Sequence, residues 1–326
     1  MRMAFRRPSR YSIVLLFVAL AVSVVAIAAC SSPTPTPTPP PTATTAPKYP
    51  LTLTDVLGRQ VQVAARPQRV VTLSPTATEM VHTVGGTIVG RDSSSTYPPE
   101  WQSLPTVGSA YGPNVESVIA LKPDLVIVEA ITQGRLIESL SKVGAPVMAV
   151  RAASLDDINK GLTLVGTALD QSNKATQAIA SIKTRIDAAA ASVPTSKKAL
   201  ILIYDADRNI YAAKPESYPG AVASMLKLTN LAAGLPDSGP FPGFTLFSGE
   251  KALSSNPDII FAISPAPAPA PKLSQILVQV PGYKDLDAVK SGRVKEIDPT
   301  LFLSAQGPRI ADAVEQMAKQ VKEATP

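Results

Sequence analysis

The chain reads as an α/β protein of two lobes with parallel-type central sheets, joined by one long rigid helix, with a cleft between the lobes. Three observations predict this. A stretch recurs: NVESVIALKPDLVIV (114–128) and SGEKALSSNPDIIFA (248–262) each place a glutamate, Glu116 and Glu250, seven residues before a Pro-Asp pair. An apolar run follows at once in both, at 125–128 and 259–262. Each copy reads as a short helix opening on an acid, a turn set by X-Pro, and a strand buried on both faces. A unit met twice, far apart in the chain, implies two similar lobes. Strand and helix patterns also alternate on either side of the middle of the chain, as small parallel sheets require. Finally, the middle holds two amphipathic helical patterns, and the second, stopping before Pro194, is long enough to span about 27 Å. Such a helix between two sheets is a stiff strut and predicts that the lobes rock only slightly.

The elements follow in order. Residues 1–29 read as a signal peptide: Arg2, Arg6, Arg7 and Arg10 form a positive start, and 12–29 an apolar run that ends AIAAC at Cys30. Small residues before a cysteine resemble the lipobox of bacterial lipoproteins, which makes Cys30 the expected lipidation site. The alternative is an uncleaved anchor, since the apolar run is nearly long enough to cross a bilayer. Either reading puts the globule outside the cytoplasmic membrane, tethered to it. Residues 30–48, rich in Pro and Thr, cannot build a core and read as an extended stalk.

The N-terminal lobe is expected over 49–153, opening on a hairpin (51–63) and a core strand (69–73). Ser74 is a good N-cap and Pro75 a good first helical residue, so a helix follows that stops at Gly85-Gly86. A short strand is expected at 88–90, a helix near 134–143 and a strand at 147–150. The polar loops 91–99 and 106–113 fall at the C-terminal edge of the sheet, where open α/β sheets bind ligands. The helical segment spans 154–194. The C-terminal lobe spans 195–326, with strands at 199–204, 210–213 and 294–298, and a closing helix from about Arg309. The loop 237–247 carries Phe241, Phe244 and Phe247, and is the counterpart of loop 106–113.

Composition excludes several function classes. The formal charge is +6, but without the four N-terminal arginines 27 basic residues face 25 acidic ones, and aromatics make up only 5%. Neither an electrostatic footprint nor a stacking platform for nucleic acid is present in the sequence. One Cys and one His rule out a Cys/His zinc cage or an internal disulfide. No G-x-S-x-G elbow, P-loop or G-x-G-x-x-G appears. A hydrolytic triad would have to use His82, which reads as a helix residue, with axial haem ligation a remote alternative. Asp205 and Asp207 could be paired carboxylates, but a turn before a strand explains them. Tyr97, Tyr111, Phe241, Phe244 and Phe302 lie on loops from both lobes at the expected crevice and favour an apolar or macrocyclic ligand held between them. Glu116 and Glu250 either serve as first-turn acids or present a two-point negative pattern to a basic partner.

From about residue 51 to 318 the chain resembles the substrate-binding proteins of bacterial ABC importers for metal chelates. The residues that carry this are RVVTLSPTATEM (69–80), VGRDSSSTYPPE (89–100), LPTVGSAYGPNVESVIALKPDLVIV (104–128), GEKALSSNPDII (249–260), DAVKSGRVKEID (287–298) and GPRI (307–310). The resemblance implies capture of a ferric siderophore, haem or cobalamin between the lobes, with no cofactor of its own and no chemistry done on the ligand. It implies delivery to an ABC permease with its ATPase, a lipid anchor and a monomer. It places Glu116 and Glu250 at the permease, against arginines. Set against the haem-binding branch, the position of the ligating tyrosine holds Ser109, with Tyr111 two residues on. Set against the vitamin B12-binding branch, Ser94 falls at a pocket tyrosine, and Ala110 and Phe241 fall at the two tryptophans. For a ferric siderophore, Arg91, Arg208 and Arg309 are the candidate basic residues. The expected cleft set is Ser94, Tyr97, Ala110, Tyr111, Arg208, Phe241, Phe244 and Phe302. The rival from another class is a lipid-anchored cell-surface hydrolase or adhesion module.

Overall fold

The hairpin that opens the globule pairs β1 (Leu51–Thr54) with β2 (Gln60–Val63) antiparallel. It turns on Asp55, whose Oδ1 accepts from the amides of Leu57 and Arg59, both at 3.0 Å. The structure, a computed structural model, describes residues 49–194 and 196–324. The expected signal peptide, Cys30 and stalk therefore lie outside the described residues. Among those described, no helix is long and apolar enough to cross a membrane.

The first sheet is parallel throughout, in the order β3 (Val70–Thr72), β6 (Leu125–Glu129), β7 (Val147–Val150). Between β3 and β6 lie α1 (Pro75–Thr83), the two-residue strands β4 (Gly108–Ser109) and β5 (Gly112–Pro113), and α2 (Val115–Ala120). Ser74 caps α1 as its sequence predicts, accepting from the Ala77 amide at 3.2 Å, with Pro75 in the first turn. The strand expected at 88–90 is reduced to an isolated bridge of Gly90 to Val71, though Val89 N–H still reaches the Val70 carbonyl at 2.8 Å. The helix expected near 134–143 is broken into single turns, Ala130–Gln133, Gly134–Leu136, Ile137–Leu140 and Ser141–Val143. Gly134 inside the run is a poor helix former, which accounts for one break.

Two helices follow in the chain between the two sheets. α3 (Leu155–Ala168) ends where Asp170 takes a left-handed φ of 57°, and α4 (Ser172–Ala191) follows. The 20 residues of α4 span about 30 Å. α4 packs on α3 and on the closing helix α7 (Ile310–Glu323).

The second sheet runs β11–β9–β8–β12–β13, with β10 also against β8. Its elements are β8 (Lys198–Tyr204), β9 (Ile210–Ala213), α5 (Tyr218–Met225), β10 (Thr229–Asn230), β11 (Phe244–Leu246), α6 (Gly249–Ser255), β12 (Ile259–Ile263) and β13 (Val294–Ile297), closed by α7. The α/β class holds, but this sheet is mixed rather than purely parallel: β9 runs antiparallel to β8, and β11 to β9. Chain length forces the first reversal. Only residues 205–209 join β8 to β9, and a parallel return needs a crossover of about a dozen residues. The turn is held by Asp205 Oδ1, which accepts from the Asn209 amide at 2.9 Å, with Arg208 at a left-handed φ of 64°. Residues 265–271, which alternate Pro and Ala, lie largely exposed.

One apolar cluster joins the halves. It runs from Met80 and Val81 of α1 through Ile158 and Leu162 of α3 and Ile182 and Ile186 of α4 to Val314, Met317 and Val321 of α7. The strut is therefore part of a shared core rather than a bare tether.

The repeat acquires a physical meaning here. In each copy the aspartate of Pro-Asp clamps the entry of the neighbouring strand. Asp124 accepts from the amides of Gln68 (2.7 Å) and Arg69 (2.9 Å) just before β3, and donates its own N–H to the Arg69 carbonyl at 3.0 Å. Asp258 accepts from the Lys198 amide at the start of β8 (2.7 Å) and donates to the Lys198 carbonyl (2.8 Å). The residue before each proline, Lys122 or Asn256, is left-handed, with φ of 46° and 44°. Removing the carboxylate leaves these amides unpartnered. For Asp258→Ala, whose bond is half-buried, urea unfolding is expected to show a loss of about 1–2 kcal/mol. Asp124→Ala is expected to cost less, about 0.5–1 kcal/mol, because water reaches the amides it leaves.

Candidate functional site

A cleft of about 520 Å³ opens where the C-terminal edges of β3, β6 and β7 face residues of the second half. From the first half it is lined by the start of α1 (Ser74, Pro75, Thr76), by the loops bearing Ser94 and Tyr111, and by Glu129 to Thr132 at the end of β6. From the second half come Ser217, Tyr218 and Pro219 at the start of α5, Phe244 of β11, and Leu303 and Gln306 ahead of α7.

Local hydrogen bonding sets each wall. The Gln133 amide nitrogen donates to the carbonyls of Leu73 and Ala110, and its Oε1 accepts from the Glu129 amide at 2.9 Å. One buried side chain thereby fixes the end of β3, the end of β6 and the Tyr111 loop. Glu129 Oε2 accepts from the Thr132 amide at 2.8 Å, which fixes the turn that presents Ile131. Ser94 sits above buried Asp92, which accepts from the Ser94 amide (3.1 Å) and the Ser95 hydroxyl (2.7 Å). Burial pushes the Asp92 carboxyl above its ordinary value despite these bonds. On the opposite wall Ser217 caps α5 as Ser74 caps α1, accepting from the Gly220 amide at 3.2 Å. Gly220 has no room for a side chain: an added Cβ would stand 1.9 Å from the Lys214 carbonyl oxygen.

The two walls are tied together beneath the cleft. Thr76 Oγ1 donates to the Gln306 carbonyl at 2.8 Å, and Arg309 Nη2 donates to Glu79 Oε1 at 2.5 Å. Glu79 is 1% exposed. Burial raises its carboxyl above the ordinary value, outweighing the hydrogen bond and charge of Arg309. Three buried polar atoms in this seam lack a well-aligned partner: Glu79 Oε2, Arg309 Nε and the Tyr218 hydroxyl, the last lying near the backbone of Gly307. Burial pushes the Tyr218 hydroxyl far above its usual range.

Of the residues expected in the cleft, Ser94, Ala110, Tyr111 and Phe244 line it. The other four are elsewhere. Tyr97 turns under the lobe, with the Arg309 guanidinium 4.5 Å over its ring and His82 edge-on at 5.5 Å. Arg208 is exposed at the β8–β9 turn. Phe241 stacks edge-on with Tyr211 and Phe244. Phe302 is 0% exposed in the core, because residues 300–304 coil into a helical turn that swings it inward and presents Leu303 instead. The other candidate bases are spent as well: Arg91 donates to the carbonyls of Asp92, Ser95, Trp101 and Gln102. His82 is packed edge-on between Tyr97 and Trp101 and does not line the cleft. Asp205 spends its carboxylate on Asn209 and the Tyr211 hydroxyl. Glu116 and Glu250 are exposed in the first turns of α2 and α6, behind the caps Asn114 and Ser248. Among the described residues no group of three or more His, Cys, Asp or Glu side chains could hold a metal ion.

Sequence reasoning missed Ser217, Tyr218 and Glu129. The signal for the first two was present: SYPG repeats the Ser-then-Pro helix opening of Ser74-Pro75, after a strand in both cases. Glu129 was hidden at the end of an apolar run.

The Glu79 shift has a consequence for stability. A carboxyl raised on folding holds its proton more tightly in the native state. Its contribution is present below the unfolded value, 4.5, and is lost as pH rises through the folded one. Glu79→Gln cannot ionise, so its stability in urea should gain on wild type as pH rises from about 4 to 7. A difference that moves the other way would show the carboxyl to be depressed instead.

The geometry is that of a known family. Residues 70–301 match the periplasmic binding protein family. An uncharacterized ABC transporter substrate-binding lipoprotein, YvrC, of Bacillus subtilis (strain 168) is 27% identical over 84% of this chain and 86% of its own length. A cobalamin-binding protein of Halobacterium salinarum is 28% identical over 85% of this chain and 75% of its own. Among solved structures, the petrobactin-binding protein YclQ of Bacillus subtilis superposes with a TM-score of 0.72 at 23% identity, covering 85% of this chain and 99% of that one. The haem-binding protein BhuT, in complex with two haems, gives 0.67 at 22%, covering 78% and 98%. These last two likenesses speak for the fold. With the family matched across most of its length, the chain belongs to the periplasmic binding proteins.

Proposed function

We propose that the chain captures a metal chelate (a ferric siderophore, haem or cobalamin) in the cleft and delivers it to an ABC permease and its ATPase. One observation carries the reading. Tyr111 and Ile131, 75% and 68% exposed, stand as uncovered apolar surface on one wall, opposite Phe244 and Leu303 on the other. A bulky, partly apolar ligand would cover both walls at once. The names of the two relatives, an ABC transporter substrate-binding lipoprotein and a cobalamin-binding protein, support the same class. No chemistry is done on the ligand. The hydrolase reading loses its base, since His82, the chain's one histidine, is held outside the cleft. Tethering through lipidated Cys30 keeps the protein at the outer face of the membrane, as a monomer, beside its permease.

Absorbance and mass spectra of the purified full chain, incubated with haem, cobalamin and ferric siderophores, test the capture step. Retention of at least one is expected, and retention of none contradicts it. Glu116 and Glu250 serve the delivery step: each is an exposed acid at the same place in the repeat, one per half. Glu116→Arg with Glu250→Arg should abolish uptake by cells while leaving ligand affinity within about twofold of wild type. Collapse of affinity would put these acids in the pocket or the fold instead.

A further inference from the structure

Resting on the capture reading above, we infer that the cleft selects complexes of zero or positive net charge, rich in amide or hydroxamate groups, and rejects polyanionic chelates. The argument is one of charge. The polar lining consists of hydroxyls, with the Gln306 amide and two carboxylates, Glu129 and Glu216; among the described lining residues none is Lys, Arg or His. The cations at its margins are already paired. Arg151, beside the Ala152–Ala153 wall, gives Nε and Nη2 to Asp157 Oδ1 at 2.9 and 2.7 Å. Lys214 is bound to Asp237 and lies 3.7 Å from Glu216. Arg309 is bound to Glu79, and Arg91 to four carbonyls.

The feature that would favour an anion is the pair of helix N-termini at the cleft, those of α1 and α5. In each, a proline removes one early amide and the cap serine takes another: Pro75 with Ala77 on Ser74, and Pro219 with Gly220 on Ser217. Little of either terminus is left to set against the carboxylates of Glu129 and Glu216. Thr132 and Ser304 carry hydroxyls that both donate and accept, while those of Thr76 and Ser217, whose protons go to the Gln306 and Lys214 carbonyls, are left to accept, which suits the amides or hydroxamates at the edge of a neutral complex.

Calorimetry on the full chain tests this with five probes: a neutral and a monocationic ferric trihydroxamate, a trianionic ferric tris-catecholate, haem and cobalamin. The expected result is binding among the neutral and cationic probes, with the trianion and haem at least about 100-fold weaker. Glu216→Gln, at an exposed position, should weaken the monocation about threefold relative to the neutral complexes. Raising the salt from 50 to 500 mM should reduce the same difference. If the trianion or haem binds as tightly as any neutral probe, the charge inference falls while capture stands. If Glu216→Gln leaves the monocation unweakened, the charge inference also falls. If no probe binds, both readings fall.

Discussion

The seam between Glu79 and Arg309 is the constraint on which the rest of the molecule depends. A carboxylate almost wholly removed from water survives in a protein interior only when it is paired and hydrogen-bonded. Here the pair joins the first helix of one half to the residue that opens the last helix of the other. Breaking it would leave a buried charge alone, so the two walls above it are held at one spacing. The Thr76 bond to Gln306 lies in the same seam and acts in the same direction. The apolar continuity through α3, α4 and α7 stiffens the arrangement from behind. Arg185 on the strut also reaches Asp312 and Glu315 on α7, although those partly exposed ion pairs add little on their own.

A fixed seam explains why the cleft can be half apolar and still stay open. Tyr111 and Ile131 would bury themselves if the walls could close. Their supports prevent it: Gln133 locks the loop of one to the sheet, and Glu129 locks the turn of the other. On the far wall, the backbone contact that leaves Gly220 no side-chain room holds the start of α5 against Lys214. The site is thus preorganised on sheet edges and helix starts, which lowers the ordering cost of binding.

Much of this was legible in the sequence. The repeat revealed two halves, and its aspartates proved to be the clamps on β3 and β8. Ser74-Pro75 announced a helix start, because capping chemistry is local. What was not legible is what depends on the direction of a side chain. Phe302 and Leu303 are neighbours in an apolar run, and only the coiling of residues 300–304 decides which one faces the cleft. Tyr97 lies three residues from Ser94 yet turns inward to meet Arg309, a partner more than two hundred residues away in the chain. The mixed second sheet was legible from the short Asp205–Asn209 turn, but strand patterns alone do not carry direction.

The central claim is that the cleft between the two halves is where the ligand sits. Hydrogen exchange of backbone amides, read with and without a bound chelate, tests it most directly. The account predicts slowed exchange at both walls together: at 94–95 and 110–111, around Ile131, and at 216–218 and 303–306. Slowed exchange confined to one wall, or centred on the groove between β1 and α3 lined by Thr52 and Thr163, would contradict it.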